Sequence, residues 1–326
     1  MQRVLLAGFG LMGKKHADVY PLLSDACVVG VVDPRGEELG ESLRASLLGP
    51  VPVFVDFDSA ARELEFSSVD ICLPTDLHRE IALQAFAVGK HVFCEKPIAL
   101  NKRDAMAMVE AARFAGRQLM VGHCIRFWPE YVELKRIVDS GGHGRLLSLS
   151  LGRRTGRPGY SVGNWVNKPE RCLGAALDLH IHDTDFLLHL LGAPQAVVSQ
   201  GLCDETGWSS IATQYAYDGP IVTAEGAWNY PANWGFQMRF SAVFERAVLD
   251  YDSRSGITLA SGEAEPVVLS MPSHDGYYHE LAYFIGCLER GELVSISTGG
   301  QASASLDLVL TEIESARSKQ MISLTK

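Results

Sequence analysis

Long apolar runs are what this 326-residue chain most plainly lacks: no uninterrupted hydrophobic stretch approaches the roughly 20 residues a membrane-spanning helix needs. Near the start, Val4-Leu5-Leu6-Ala7 stops at a glycine almost at once, so no secretory h-region is expected. Basic charge is also short. Lys and Arg number 29 against 39 Asp and Glu, a net charge of −10, which argues against nucleic-acid or membrane-surface partners. The cysteines number seven, an odd count with no C-x-x-C pair, which speaks against a disulfide frame or a zinc site and for a reducing compartment. There is no internal repeat and no low-complexity linker. What is present, 47% hydrophobic and 21% charged residues, suffices for two ordinary domains of a soluble, cytoplasmic protein.

The first third alternates short apolar runs with helical patterns. Arg3 to Ala7 reads as a buried strand, followed by Gly8-Phe9-Gly10-Leu11-Met12-Gly13 and a helix through Tyr20. Further strands are expected at Val28 to Val32, Val69 to Leu73, His91 to Cys94 and Leu119 to Gly122. A helix from about His78 to Val88 stops at Gly89. Another, capped by Asn101 with Asp104 three residues on, ends at Gly116. Continuous apolar strands alternating with helices predict an open α/β domain whose parallel sheet is covered on both faces, over residues 1–122. Beyond it the pattern changes. Helices at Pro129 to Asp139 and Ala176 to Leu191 precede alternating runs at Trp208 to Tyr217, Ile221 to Trp228 and Phe236 to Phe244, with Asp218-Gly219 as a hairpin signal. Two late helices, near His279 to Arg290 and Ala302 to Arg317, close the chain. Residues 123–326 therefore read as an α+β domain with a large, mostly antiparallel open sheet.

The G-x-G-x-x-G at positions 8, 10 and 13 opens a helix straight after the first strand. Gly8 permits a tight turn, Gly10 lets backbone approach a pyrophosphate, and Gly13 allows close helix–strand packing, while the helix N-terminus offers N–H groups to the phosphates. Asp33 ends the second strand about 20 residues past Gly13, where an acid accepts the ribose hydroxyls of NAD and repels a 2′-phosphate. That context makes residues 1–122 a Rossmann domain. Arg35 can neutralise a 2′-phosphate, so NADP stays open. Thr75-Asp76-Leu77-His78 and Glu95-Lys96-Pro97 both follow strands at their carboxyl ends, where ligands bind in such sheets; for the first, helix capping and cofactor contact are compatible.

A second constellation is Asp178, His182, Asp185 and His189, which share one face of a helix. A solvated stripe is one reading, but Leu177, Leu179, Ile181, Phe186 and Leu187 surround it with apolar residues. A metal held by His182 and Asp185 is another; His180 and His182 diverge by roughly 200° on a helix and cannot share an ion. The third, an acid/base pair of Asp178 and His182 one turn apart, is preferred, with no metal expected. His189 reads as structural.

Together, the N-terminal glycine loop, Pro74-Thr75-Asp76-Leu77-His78, Gly89-Lys90-His91-Val92-Phe93-Cys94-Glu95-Lys96-Pro97 and Asp178-x3-His182-x2-Asp185 resemble the Gfo/Idh/MocA oxidoreductases across essentially the whole chain. The resemblance implies a nicotinamide cofactor on the first domain and a sugar, cyclitol or related polyol against the open sheet of the second. It implies Lys96, Asp178 and His182 as the catalytic set: His182 exchanges a proton with the substrate hydroxyl, Lys96 hydrogen-bonds the same oxygen, and Asp178 holds one or the other in place. It implies cofactor contacts from Gly8, Phe9, Gly10, Leu11, Met12, Gly13, Asp33, Pro34, Arg35, Pro74, Thr75, His78, Glu95 and Lys96, and a cis bond between Lys96 and Pro97. Two positions depart from the family pattern, His180 where glycine is usual and Asp76 where asparagine is more common.

Substrate clues are fewer. Arg145, Arg153, Arg154, Arg157 and Lys168 occur with no acidic residue between them, either as a solvated basic loop or as a cradle for an anionic substrate. Arg126 and Trp165 are further substrate-side candidates beside Lys96, Asp178 and His182, an aromatic wall suiting the apolar face of a sugar ring. The expected function is an NAD(P)-dependent oxidoreductase of a secondary alcohol or its carbonyl, working as a homodimer or homotetramer. A regulatory nucleotide binder on the same fold, or a redox-neutral lyase or glycosidase with tightly held NAD, are the alternatives.

Overall fold

The structure, a computed structural model, describes residues 1–159 and 161–324, and of Glu37 the backbone alone. In the first part, β1 (Gln2–Ala7) leads through the glycine loop into α1 (Leu11–Val19). After these come β2 (Ala26–Val32), α2 (Gly40–Ala45), β3 (Val53–Phe54), α3 (Phe57–Glu63), β4 (Ser68–Ile71), α4 (His78–Ala87), β5 (His91–Glu95), α5 (Lys102–Ala115) and β6 (Leu119–Gly122). All pairings are parallel, in the order β3-β2-β1-β4-β5-β6. The buried runs of β1, β4, β5 and β6 explain the sheet: strands covered on both faces need apolar side chains on both. Asn101 caps α5 by accepting the Asp104 N–H at 3.0 Å, and Gly116 closes it at φ +59°. This compact unit comprises Met1–Cys124 together with Gly276–Ala304.

The second unit is built mainly from Ile125–Gly159, Val166–Asp275 and the residues from Ser305 onward. Its elements begin with α6 (Pro129–Ser140), β7 (Leu146–Gly156) and α7 (Pro169–Cys172), then a π-helical turn over Ala176–His180 that runs into α8 (Ile181–Leu191). There follow β8 (Ala196–Asp204), β9 (Gly207–Ala216), β10 (Ile221–Tyr230), β11 (Gln237–Phe244), β12 (Ala247–Asp252), β13 (Gly256–Ser261) and β14 (Val267–Val268). The chain closes with α9 (Gly276–Arg290), which belongs to the first unit, α10 (Gly299–Ser318) and β15 (Ile322–Ser323).

Among the described residues nine strands form one sheet, β14-β13-β12-β11-β7-β10-β9-β8-β15, antiparallel except for β7 against β10. Along β9, Ser209, Ile211, Thr213 and Tyr215 are buried while Ala212, Gln214 and Ala216 are exposed, the period of two that one covered face produces. The covered face packs on α6 and α8, with Tyr131 edge-on to Phe186 at 4.9 Å and to Phe240 at 5.0 Å. Burying each such ring is worth about 2–3 kcal/mol. The α/β domain followed by a largely antiparallel α+β domain is as the sequence predicts. The single helix expected over residues 176–191 is corrected: its first turn is π-helical, a local widening that apolar spacing does not reveal.

Candidate active site

In the first unit, the glycine loop lies where strand order reverses, between β1 and β4. Gly8 sits at φ +96°, and a Cβ there would stand 2.6 Å from the Cys72 carbonyl oxygen. A Cβ on Gly13 would run into the Gly8 carbonyl, so the loop and α1 close only with glycine at both positions. Gly10 faces open space, and it begins α1 with no side-chain cap and no acid in the first turn. Backbone N–H groups at an uncapped, unopposed helix start fit a pyrophosphate. The Phe9 ring is buried, Leu11 is exposed and Met12 half-buried.

Asp33, at the end of β2, is 4% exposed. Its oxygens accept from the Phe9 N–H (2.9 Å), the Arg35 N–H (3.1 Å), Arg35 Nε (2.8 Å) and Arg35 Nη2 (2.7 Å). Burial works against its charge, but the Arg35 side chain and the two backbone donors outweigh it and hold the carboxyl below the usual carboxylate range. Pro34 between them is exposed. Asp33 and Arg35 are thus one unit at the point where the adenosine ribose is expected.

Pro74 is half-buried, Thr75 is buried and Asp76 exposed at the start of the turn into α4. His78 is the first residue of α4. It is 1% exposed, with Nδ1 3.0 Å from the Pro97 carbonyl and Nε2 2.8 Å from the Leu73 carbonyl. Burial pulls its pKa below the ordinary histidine range, against those two carbonyls. The ring ties the end of β4 to the segment after β5. There the Lys96–Pro97 bond is cis, and Glu95 Oε2 accepts the Lys96 N–H at 3.0 Å. Lys96 itself is half-buried.

In the second unit, Asp178 lies in the π-helical turn, half-buried, and His182 lies in the first turn of α8 at 8% exposure. The other two members of the predicted stripe part from them. Asp185 is fully buried and takes Arg126 Nε and Nη2, both at 2.8 Å, and the Ser305 hydroxyl at 2.7 Å. Arg126, expected on the substrate side, is therefore turned to Asp185, with 6% exposure. His189 is half-buried, and burial followed by the nearby Arg126 and Lys135 charges lowers its pKa to about 4.

His180, the residue in place of the usual glycine, does not line an open surface. It is fully buried, 2.7 Å from Glu312 Oε2 and 3.2 Å from the Tyr215 hydroxyl, and Gly226 leaves it room: a Cβ there would come within 2.6 Å of the His180 Cβ. Trp165 is half-buried. The basic stretch dissolves into separate ion pairs. Arg145 meets Glu245 (2.8 Å), buried Arg153 meets Asp183 (3.1 Å), Arg154 meets Glu225 (2.7 Å), and Arg157 meets Asp204 (2.9 Å) and Glu205. Each of these four arginines thus has an acidic partner of its own.

Sequence reasoning missed a polar cluster beneath the glycine loop. His16 and Asp70 are fully buried, with His16 Nδ1 2.9 Å from Asp70 Oδ2 and the Tyr20 hydroxyl donating to the same oxygen at 2.9 Å. The available signal was Asp70 itself, a charge inside an apolar strand, which must find a partner.

Comparison with known proteins follows the same division. Residues 2–123 match the family described as "Oxidoreductase family, NAD-binding Rossmann fold", and residues 131–250 match the "GFO/IDH/MocA C-terminal domain". Inositol 2-dehydrogenase 4 of Saccharopolyspora erythraea is 30% identical over 277 residues, covering 78% of this chain and 75% of that protein. Inositol 2-dehydrogenase of Rhizobium meliloti is 26% identical over 98% of both. Among solved structures, levoglucosan dehydrogenase in complex with NADH and levoglucosan superposes with a TM-score of 0.88 over 100% of both chains at 20% identity, a likeness of fold.

Proposed function

The chain belongs to the Gfo/Idh/MocA oxidoreductase family, and from that premise we propose that it is an NAD-dependent dehydrogenase of a ring polyol, a sugar or cyclitol, acting on one secondary alcohol or its carbonyl. The observation that carries this reading is the retention, in one chain, of the open glycine loop with Asp33, of Lys96 at the carboxyl end of β5, and of Asp178 and His182 at the start of α8. Bound NAD supplies the hydride acceptor. Gly8, Gly10 and Gly13 with the start of α1 would hold its pyrophosphate and Asp33 its adenosine ribose. Pro34, Arg35, Pro74, Thr75 and Glu95 border that cofactor site in this reading.

His182 accepts the hydroxyl proton as the carbon loses hydride, and returns it in the reverse direction. Lys96 donates a hydrogen bond to the same oxygen and stabilises the charge that develops on it. Asp178, one turn before His182, orients it or the lysine. Trp165 is a substrate-side surface for a ring. The relatives support the class: inositol 2-dehydrogenases among sequences and levoglucosan dehydrogenase among structures. Among the described residues no helix is long and apolar enough to cross a membrane, and a cytoplasmic homodimer or homotetramer is part of the reading.

The test is titration with NADH and NADPH in parallel, then a panel of myo-inositol, levoglucosan and D-glucose read by nicotinamide absorbance. Tighter NADH binding with turnover of a ring polyol is expected. Tight binding without turnover would instead favour a regulatory nucleotide binder, and turnover without net nicotinamide reduction a redox-neutral enzyme. No binding of either nucleotide would overturn the reading.

A further inference from the structure

His16 lies on the inner side of α1, three residues past Gly13, and none of it is exposed. Its Nδ1 is 2.9 Å from Asp70 Oδ2 and its Nε2 3.2 Å from Glu95 Oε1. The other oxygen of that glutamate, Oε2, accepts the Lys96 N–H at 3.0 Å. An unbroken chain of contacts thus runs from the Tyr20 hydroxyl through Asp70, His16 and Glu95 to the Lys96 backbone, all inside the first unit. The groups facing the ring are Asp70 on β4, Cys72 just after it, Glu95 on β5, and Tyr277 and Glu280 on α9; Phe93 packs on it edge-on.

A neutral imidazole can donate its one N–H to Asp70, and only the imidazolium also carries the charge that draws Glu95 Oε1 to Nε2, 3.2 Å away without hydrogen-bond alignment. Burial opposes that charge, but Asp70 and the Cys72 sulfur favour it, and the balance raises the histidine well above its ordinary range. The same side chains are of metal-ligand type, His16 with Asp70 and Cys72 or with Glu95 and Glu280. Nδ1 is hydrogen-bonded to Asp70, whereas the approach of Nε2 to Glu95 Oε1 at 3.2 Å is an ion-pair contact.

We propose that His16 is a positioning residue for Lys96: by gripping Glu95 it fixes the carboxylate that holds the Lys96 amide, and so ties the lysine to the helix that starts at the phosphate loop. The role deepens the reading of Lys96 as an active-site lysine and rests on it. Two substitutions separate the two ends of the ring. An asparagine amide at position 16 reaches toward the Nδ1 partner, Asp70, and a glutamine amide toward the Nε2 partner, Glu95.

The experiment is amide hydrogen exchange, resolved at Lys96, on the full chain with NADH, for His16→Asn and His16→Gln, with kcat on the best member of the polyol panel as a second readout. In His16→Asn the Lys96 amide should exchange about tenfold faster while the β1 amides stay within about twofold, and His16→Gln should recover most of the protection. kcat should fall about tenfold in His16→Asn with KM for NAD nearly kept. Uniform loss of protection across the sheet, equal behaviour of the two variants, or a stoichiometric divalent metal in the purified protein would each overturn the proposal. Should His16→Asn fail to bind NADH, Asp70→Asn tests the same chain from its far end, and an unchanged Lys96 amide there overturns it. If Lys96→Ala leaves turnover intact, the active-site reading fails separately, while the exchange data still decide whether His16 holds the turn.

Discussion

Arg126 and Asp185 form a two-toothed ion pair, 2.8 Å at each contact, with side chains 2% and 0% exposed. They come from opposite ends of a 59-residue separation and join the segment before α6 to α8. A buried pair of this kind adds little over a well-packed apolar pair, but removing one partner strands a charge. Asp185→Asn should therefore lower unfolding free energy by about 3–5 kcal/mol. Replacing both, as Arg126→Met with Asp185→Leu, should recover most of that loss. Urea unfolding of the three proteins decides it; a loss near zero in the single variant would mean that water reaches the pair.

His189 gives the pH dependence its sign. Its folded pKa of about 4 lies below the ordinary 6.5, because burial and then Arg126 and Lys135 disfavour the imidazolium. A group with a depressed folded pKa binds fewer protons folded than unfolded. Its contribution is thus fully present above about pH 6.5 and is lost as pH falls toward about 4. The side chain is partly exposed, so solvent screening trims the effect below the linkage limit. His189→Gln should flatten the fall in urea midpoint between those values. Parallel midpoint curves for the two proteins would remove His189 from the acid response.

In the proposed reading, Asp33 and Arg35 together set the nucleotide choice. Arg35 holds both carboxylate oxygens and also donates to the Phe9 carbonyl at 3.0 Å, so the ribose hydroxyls of NAD have to share or displace it. Asp33→Ala should weaken NADH about tenfold or more and NADPH much less, since the acid repels a 2′-phosphate. Arg35→Ala should spare NADH and weaken NADPH. Equal weakening of both nucleotides by Asp33→Ala, measured by fluorescence titration, would mean that the ribose does not meet Asp33.

The parallel sheet was legible because apolar runs such as Val4 to Ala7 carry their own signal, and Asn101 and Gly116 mark α5 by local chemistry alone. The two residues of β3 are too few to show any period. The motif residues Asp33, Lys96, Asp178 and His182 stood out by position in the pattern. Their supports did not: Arg145 finds Glu245 100 residues away, Arg154 finds Glu225 71 away, and His180 finds Glu312 132 away. Spacing along a helix grouped Asp185 with Asp178 and His182, whereas a partner from another segment decided its role. Local sequence reports backbone propensity and burial, and it is silent about which distant charge answers a buried one.

Lys96 and His182 are assigned different tasks, and their variants should differ accordingly. Lys96→Ala removes a donor to the reacting oxygen, so turnover should fall by ~10²-fold or more with NADH affinity within a few-fold. His182→Asn removes the proton acceptor while keeping a polar side chain of similar reach. Its turnover should fall at least as far, and the rate that remains should rise as pH is raised and hydroxide takes over the proton transfer. The Lys96→Ala residual rate lacks that rescue, because the general base is still in place. Stopped-flow measurement of hydride transfer on the panel substrate, across pH, separates the two. A His182→Asn rate that is flat with pH, or as high as that of the parent, would take the proton away from His182 and leave the acid/base role to another group near Asp178.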